Sequence, residues 1–351
     1  MTNDLRALLG TQLPLIQAPM AGVQGSRLAV AVTQAGALGS LPCAMLGADA
    51  LRAELKALQD GLRPQQPWNL NFFSHVPPAP DAAREAAWRQ ALAPYYAEHG
   101  IDAAGIAAGP GRNPFSAEIA DLVEPFRPRV ISFHFGLPDA ALVQRVKGWG
   151  ARVLASATTV EEGLWLQAHG ADAVIAQGLE AGGHRGHFLS HDLSRQMGVF
   201  ALVPQLVAAL RVPVIAAGGI ADAQGVAAAM ALGAAGVQVG TAFLLCDEAS
   251  TSALHRAALQ SEAARHTALT TLFTGRPARG IVNRVMREMG PLNPVAPEFP
   301  LATAAIAPLR AKAEAAGSTD FTSLWAGQNA SGCRAQPAAQ LVRALAAGLP
   351  A

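Results

Sequence analysis

Val214-Ile215-Ala216-Ala217-Gly218-Gly219-Ile220-Ala221-Asp222 is a short apolar run that stops at two glycines and leads into a helix start. A run this short and this uniformly apolar is the pattern of a strand buried on both faces of a parallel sheet. Asp222 is a natural N-cap, and Val226 and Met230 fall on one face of the helix it opens. Gly233 suits the C′ position of that helix, and Gly236–Val239 is the next apolar run. Val153–Gln177 repeats the order: strand, Thr158-Thr159, helix, Gly170-Ala171-Asp172, strand. There Thr159 and Glu162 have capping-box spacing, Gly170 suits C′, and Val160, Leu164 and Ala168 form the expected buried stripe.

Further runs of the same kind lie at Leu15–Ala18, Ala37–Leu41, Trp68–Phe73, Val130–Phe135, Arg152–Ala155, Ala173–Gln177 and Pro213–Ala217. With Gly236–Val239 they make eight, and strands alternating with helical patterns predict an α/β fold of the (β/α)8 TIM-barrel type. A doubly wound sheet is the alternative, but no G-x-G-x-x-G fingerprint follows the first strand. Two regions break the rhythm. Ser74–Arg129 is too long for a βα loop and carries a helical pattern around Ala82–Glu98. From Thr241 to about Thr322 the chain reads as helices, Thr251–His266 being the clearest, with a Pro-rich stretch at Pro291–Pro300. Both follow strand C-terminal ends, so both are expected to pack together as a mainly helical cap. The division is then barrel at 1–73, insertion at 74–128, barrel with the ligand loops at 129–243, cap at 244–321, and a return to the barrel at 322–351.

Composition narrows the function classes. Over 351 residues the formal net charge is +1, which provides no electrostatic case for nucleic acid or an anionic membrane surface. Cys43, Cys246 and Cys333 are odd in number and far apart, against a disulfide framework or zinc knuckle. The N-terminus lacks a signal-peptide apolar core, and no apolar run reaches the roughly 18 residues of a membrane span. The expectation is a soluble cytoplasmic protein.

In a barrel of this type the strand C-terminal ends carry the site. Gln177-Gly178-Leu179-Glu180-Ala181-Gly182-Gly183-His184-Arg185-Gly186 begins at one such end. Its glycines let backbone approach a ligand, and a histidine there titrates near neutrality. Gly218-Gly219 and Gly240-Thr241 stand where a phosphate binds, after strands seven and eight. Asn71, Gln177 and Gln238 are amides that both donate and accept, as the pyrimidine edge of a flavin requires.

Gln17–Gly22, Asn71, Ser132–Pro138, Glu180–Gly186, Ala216–Ile220, Gln238–Thr241 and Leu324–Gln328 together resemble the class I nitronate monooxygenases, over nearly the whole chain and in order. The resemblance implies an FMN-dependent TIM barrel with a helical second domain. It implies oxidation of alkyl nitronates, propionate 3-nitronate among them, by O2 through one-electron transfer and a flavin semiquinone, giving a carbonyl compound with nitrite or nitrate. It implies His184 as the catalytic histidine. It implies FMN contacts at Met20, Gly22, Asn71, Gln177, Gly182, Gly183, Gly218, Gly219, Gln238, Gly240, Thr241 and Gln328. Phe73, His134 and Phe299 are the candidate substrate-pocket residues. Pocket tyrosines are common in relatives, whereas the only tyrosines here are Tyr95 and Tyr96. The partners implied are a small nitronate and O2, and a homodimer is compatible with them.

Other readings stand beside this one. His184, His187 and His191 could be drawn as a metal cluster, but glycines break any helix that would align them, so no metal is expected and His187 and His191 read as exposed loop residues. His134 alternates with Phe133 and Phe135 and either lines the pocket or is a satisfied buried histidine. Met20 is a site residue or core filler, and Cys43 and Cys246 read as buried small apolar groups. An FMN-dependent NAD(P)H reductase of quinones or enoyl thioesters is the second function. A non-redox phosphate-binding lyase or isomerase and a flavin-binding module without turnover are the others.

Overall fold

The computed structural model describes residues 4–106 and 111–350. Its strands in chain order are β1 (Leu15–Gln17), β2 (Gly39–Pro42), β3 (Trp68–Phe73), β4 (Val130–His134), β5 (Arg152–Ala157), β6 (Ala173–Gln177), β7 (Gly183–His184), β8 (Val214–Ala217), β9 (Gly236–Val239), β10 (Thr267–Thr270) and β11 (Ala278–Ile281). Eight of them form one parallel sheet in the order β1-β9-β8-β6-β5-β4-β3-β2. The ends meet where the Gln17 amide donates to Leu38 O at 2.9 Å and the Leu38 amide donates to Leu15 O at 2.8 Å. The sheet is therefore a closed barrel, as its eight apolar runs predict.

Side chains of a strand alternate between faces, and the barrel uses this fully. Leu70, Phe72, Ile131, Phe133, Val153, Ala155, Val174, Ala216 and Val237 face outward into the main hydrophobic cluster shared with the helices. Ile16, Leu38, Val130, Leu154, Ala173, Ile175 and Ile215 face inward, where Leu5 and Leu9 of the helix Leu5–Leu9 join them. Toward the strand C-terminal ends the inward positions turn polar. Asn69 Nδ2 donates to Ser40 Oγ at 3.0 Å and to Ser132 Oγ at 2.9 Å, and Asn71 Nδ2 donates to Ser132 Oγ at 3.0 Å. This network forms the floor of the site.

The two βα units of the sequence are present, with one correction. Asp222 accepts from the Gly225 amide at 2.8 Å, Val226 is buried and Met230 is half-buried. Thr159 accepts from the Glu162 amide at 3.2 Å. Leu164, however, is 44% exposed, and the buried stripe of helix Val160–Ala168 is Glu162, Gly163 and Leu166. Two contacts rotate the helix. Gly163 lies so close to Leu206 of the helix Val199–Ala209 that a Cβ would meet it at 2.3 Å. The buried Glu162 carboxylate accepts from the Thr158 amide at 2.7 Å and the Phe188 amide at 2.6 Å. A tertiary contact thus overrides the i, i+4 reading.

The two segments that interrupt the barrel pattern share a second hydrophobic cluster. The helix Ala82–Glu98 contributes Trp88, Leu92, Tyr95 and Tyr96, against Phe273, Ile306, Leu309 and Phe321 of the later segment. Trp88 Nε1 donates to Ala302 O at 3.2 Å and the Tyr96 hydroxyl to Ala305 O at 2.7 Å, both within the helix Ala302–Ala315. The later segment is not all helical. β10 and β11 pair antiparallel, and β11 pairs in turn with β7, so the His184 segment is the third strand of this small sheet. The expected helix over Thr251–His266 is Ala253–Gln260 followed by a 3-10 turn at Glu262–Arg265. No helix of the described residues is long and apolar enough to cross a membrane.

Candidate active site

A cavity of about 200 Å³ opens at the C-terminal ends of the barrel strands. Its barrel-side lining is the inward set at each strand's end: Pro42, Asn71, Phe73, Ser132, His134, Ser156, Ile175, Gln177, Ala217 and Gln238. The strand alternation alone predicts that set. The loops after the strands add Met20, Gly182, Gly183, His184, Gly218, Gly219, Gly240 and Thr241. Arg112, His255 and Trp325 come from the inserted and C-terminal segments.

The loop from Gln177 to Gly186 is held from below. Buried Arg185 donates to Gly178 O, Gln177 O and Gln196 Oε1, each at 2.7 Å. Gln177 Nε2 donates to His184 O at 2.9 Å, and Gln177 Oε1 accepts from the Gly186 amide at 2.8 Å. The Gln177 amide therefore braces its own loop, although the side chain lines the cavity. His134 Nε2 also lies 3.1 Å from His184 O. A carbonyl only accepts, so His134 carries its proton on Nε2, and Nδ1 accepts from Ser156 Oγ at 3.1 Å. His134 is thus both cavity-lining and satisfied, which merges the two readings of the sequence.

His184 projects among aromatic rings. Phe299 and Trp325 lie 5.4 Å and 5.5 Å from its ring, centroid to centroid. Its Nε2 is 2.9 Å from Thr274 Oγ1. Desolvation, and then the Arg112 charge, hold its pKa well below the usual histidine value, so it is neutral at pH 7. His134 is lowered to about 4, chiefly by burial. Two cations face this neutral pair. The Arg112 guanidinium lies 5.6 Å from the Phe299 ring centroid and that of Arg276 4.0 Å from Phe135. Neither has a carboxylate ion-pair partner among the described residues. The cavity is therefore electropositive and suited to an anion.

The glycine loops fit a phosphorylated ring cofactor. Gly219 has φ +71°, in the left-handed region, and the Gly219 and Gly240 amides donate to no described backbone group. Gly182 packs so tightly that a Cβ would meet Gly327 N at 2.5 Å. Gln238 Oε1 is buried with no partner among the described residues, an acceptor aimed at nothing in the protein itself.

Several expected residues stand elsewhere. Gly22, Gln328 and Phe299 do not line the cavity. Gln328 is exposed and bonds only through its backbone amide, to Glu180 O at 2.9 Å, while its neighbours Gly327 and Asn329 do line the cavity. Phe299 is buried behind Phe73, at 5.9 Å between centroids. His187 is not an exposed loop residue: it is buried, its carbonyl accepts from Arg276, and only His191 is exposed. Among the described residues no group of three or more His, Cys, Asp or Glu could hold a metal. Arg112, Thr274, Arg276 and His255 escape a reading of the sequence because no motif or period surrounds them; Arg112 sits in an irregular Gly-Arg-Asn stretch and Thr274 in a Thr-rich run.

Comparison with known proteins agrees with this geometry. The family model described as nitronate monooxygenase matches residues 2–348. The chain is 44% identical to a nitronate monooxygenase of Pseudomonas aeruginosa, covering 98% of each chain. It is 43% identical to one of Paraburkholderia phytofirmans, over 97% of this chain and 93% of the relative. It superposes on the crystal structure of a nitroalkane oxidase from Streptomyces ansochromogenes with TM-score 0.88 and 38% identity, covering 98% of this chain and 97% of the other. A closed parallel barrel with a neutral histidine and free cations at its strand ends, joined to full-length similarity, has one conclusion: the chain belongs to the nitronate monooxygenase family of oxidoreductases.

Proposed function

We propose that this protein oxidises alkyl nitronates with O2, using FMN, to a carbonyl compound with nitrite or nitrate. The observation that carries the reading is the half-buried, neutral His184 facing an electropositive cavity beside loops with free amides. Gly218, Gly219, Gly240 and Thr241 would hold the phosphate of FMN, and Asn71 and Gln238 the polar edge of its ring. FMN supplies the electron acceptor when bound. The residues of the chain do the rest. Arg112, which lines the cavity, attracts the nitronate anion and resists its loss to water, and Arg276 adds positive charge from behind Phe135. His184 faces the substrate, and on a neutral nitroalkane it takes the α-proton. Phe73 and Trp325, which line the cavity, keep water away from the reacting carbon.

The test is the cofactor and its reductant. The purified protein should release FMN on heating, identified by chromatography. Under anaerobic conditions propionate 3-nitronate should change the visible flavin spectrum within a turnover, and NADH or NADPH should not do so at a useful rate. Recovery of FAD, or rapid bleaching by NADH, would overturn the reading and favour a nicotinamide-dependent reductase.

A further inference from the structure

His184 has two ring nitrogens, and only one of them is occupied. Nε2 lies 2.9 Å from Thr274 Oγ1. Nδ1 bonds no described group, and it is not sealed off, since His184 lines the cavity. Thr274 belongs to the segment between β10 and β11, not to the barrel. Its hydroxyl carries one proton and has a second neighbour, Arg276 O, at 3.4 Å.

The proton count decides the tautomer. If the hydroxyl donates to Nε2, the Arg276 carbonyl has no proton from it, and the imidazole must carry its own proton on Nδ1, toward the cavity. If Nε2–H donates to Oγ1, the hydroxyl is free to donate to Arg276 O, and both contacts are satisfied. The second arrangement makes one more hydrogen bond from the same atoms. We infer that Thr274 is a positioning residue that holds His184 as the Nε2–H tautomer, so that Nδ1 is the nitrogen that takes the substrate proton.

The same contact serves the charged form. Once Nδ1 is protonated, Nε2–H remains a donor, and Oγ1 remains its acceptor. That matters here because the other ionisable groups facing His184 are Arg112, Arg276, His134 and His75, all cationic or neutral. No carboxylate is among them. Thr274 is then the protein's acceptor for an imidazolium that its surroundings otherwise disfavour. The arrangement also links the two parts of the molecule: the barrel loop supplies the base, and the inserted segment sets its protonation.

This inference rests on His184 being the base, and the experiment separates the two ideas. His184→Asn, Thr274→Val and Thr274→Ser are each assayed on a neutral nitroalkane and on its preformed nitronate, across pH. Thr274→Val should lower kcat/KM for the nitroalkane roughly tenfold or more, the usual loss for one hydrogen bond to a charged group. Its acidic limb should move to lower pH, because the imidazolium loses its acceptor. Nitronate turnover should change by less than about threefold, a neutral-bond-sized effect. Thr274→Ser, which keeps the hydroxyl, should restore both the rate and the pH profile. An unchanged limb and an unchanged ratio of the two activities in Thr274→Val, beside a selective loss in His184→Asn, would overturn the role of Thr274 alone. Equal losses on both substrates in His184→Asn would overturn the base itself. Flavin content and Tm of Thr274→Ser show whether the fold is intact.

Discussion

On β3 and β4 the residues that reach the cavity are Asn71, Phe73, Ser132 and His134, every second position. On the inserted and C-terminal side they include Arg112, His255 and Trp325, from three separate segments with no period. The barrel places its groups by backbone geometry, since alternate side chains of a closed sheet must converge. The other side places its groups by packing, through the cluster of Trp88, Tyr96, Phe273, Ile306 and Phe321. The contrast teaches that the barrel-side positions are rigidly specified by the sheet, while the groups facing them are placed by a separately packed layer. Each side should therefore fail in its own way.

The largest difference is expected at His184, where the sides meet. Replacing it by Asn keeps a hydrogen-bond donor but removes the base. Nitroalkane turnover should fall about 10²–10⁴-fold. Nitronate turnover should fall less, because that substrate has already lost its proton. Two steady-state assays on one preparation decide it. Equal losses would mean that His184 only positions the anion.

A cut confined to the second layer comes next. Phe321 is fully buried there, 5.2 Å from Tyr95 between ring centroids. Phe321→Ala should cost about 3–5 kcal/mol of stability. If the comparison is right, denaturant curves should lose the nitroalkane activity before the flavin spectrum. Simultaneous loss of both would mean that the barrel rim has no independent stability.

The smallest effect is read by pH, on buried histidines of both sides. On the barrel side His134 and His187 are lowered by burial, to about 4 and about 3. On the other side His255 is likewise lowered by burial, to about 4, whereas Tyr95 and Tyr96 of the second cluster are raised by burial to about 12 and do not titrate in acid. A histidine lowered in the folded state contributes stability that is present above pH 6.5 and is lost as pH falls toward the folded value. Each should cost about 2 kcal/mol by pH 5. The measured Tm should fall between pH 6.5 and 4, and His134→Gln should flatten that fall. A flat Tm over this window would mean that these histidines titrate in the folded protein as they do in the unfolded chain.

Much of the site was legible before any coordinates. Eight short apolar runs, each stopped by a glycine, proline or polar residue, require a parallel sheet because such strands must be covered on both faces. Gln177–Gly186, Gly218-Gly219 and Gly240-Thr241 follow strand ends, and in a closed barrel strand ends converge. His134 shows the limit of this reasoning: its pattern placed it on the inner face, but only the approach of His184 O and Ser156 Oγ shows which nitrogen carries its proton.

The helix at Val160–Ala168 shows the limit differently. Its periodicity pointed to Leu164, yet the close approach of Gly163 to Leu206 and the buried Glu162 carboxylate turned another stripe inward. His187 was hidden in the same way, since nothing local announces that Arg276 will cover it. Sequence alone thus determined the barrel, its strand positions and the glycine loops with His184, because each follows from local periodicity and backbone freedom. Tertiary structure decided the free cations, the Thr274 contact and the rotation of that helix. These depend on segments far apart in the chain, and the geometry that joins them has no local signal.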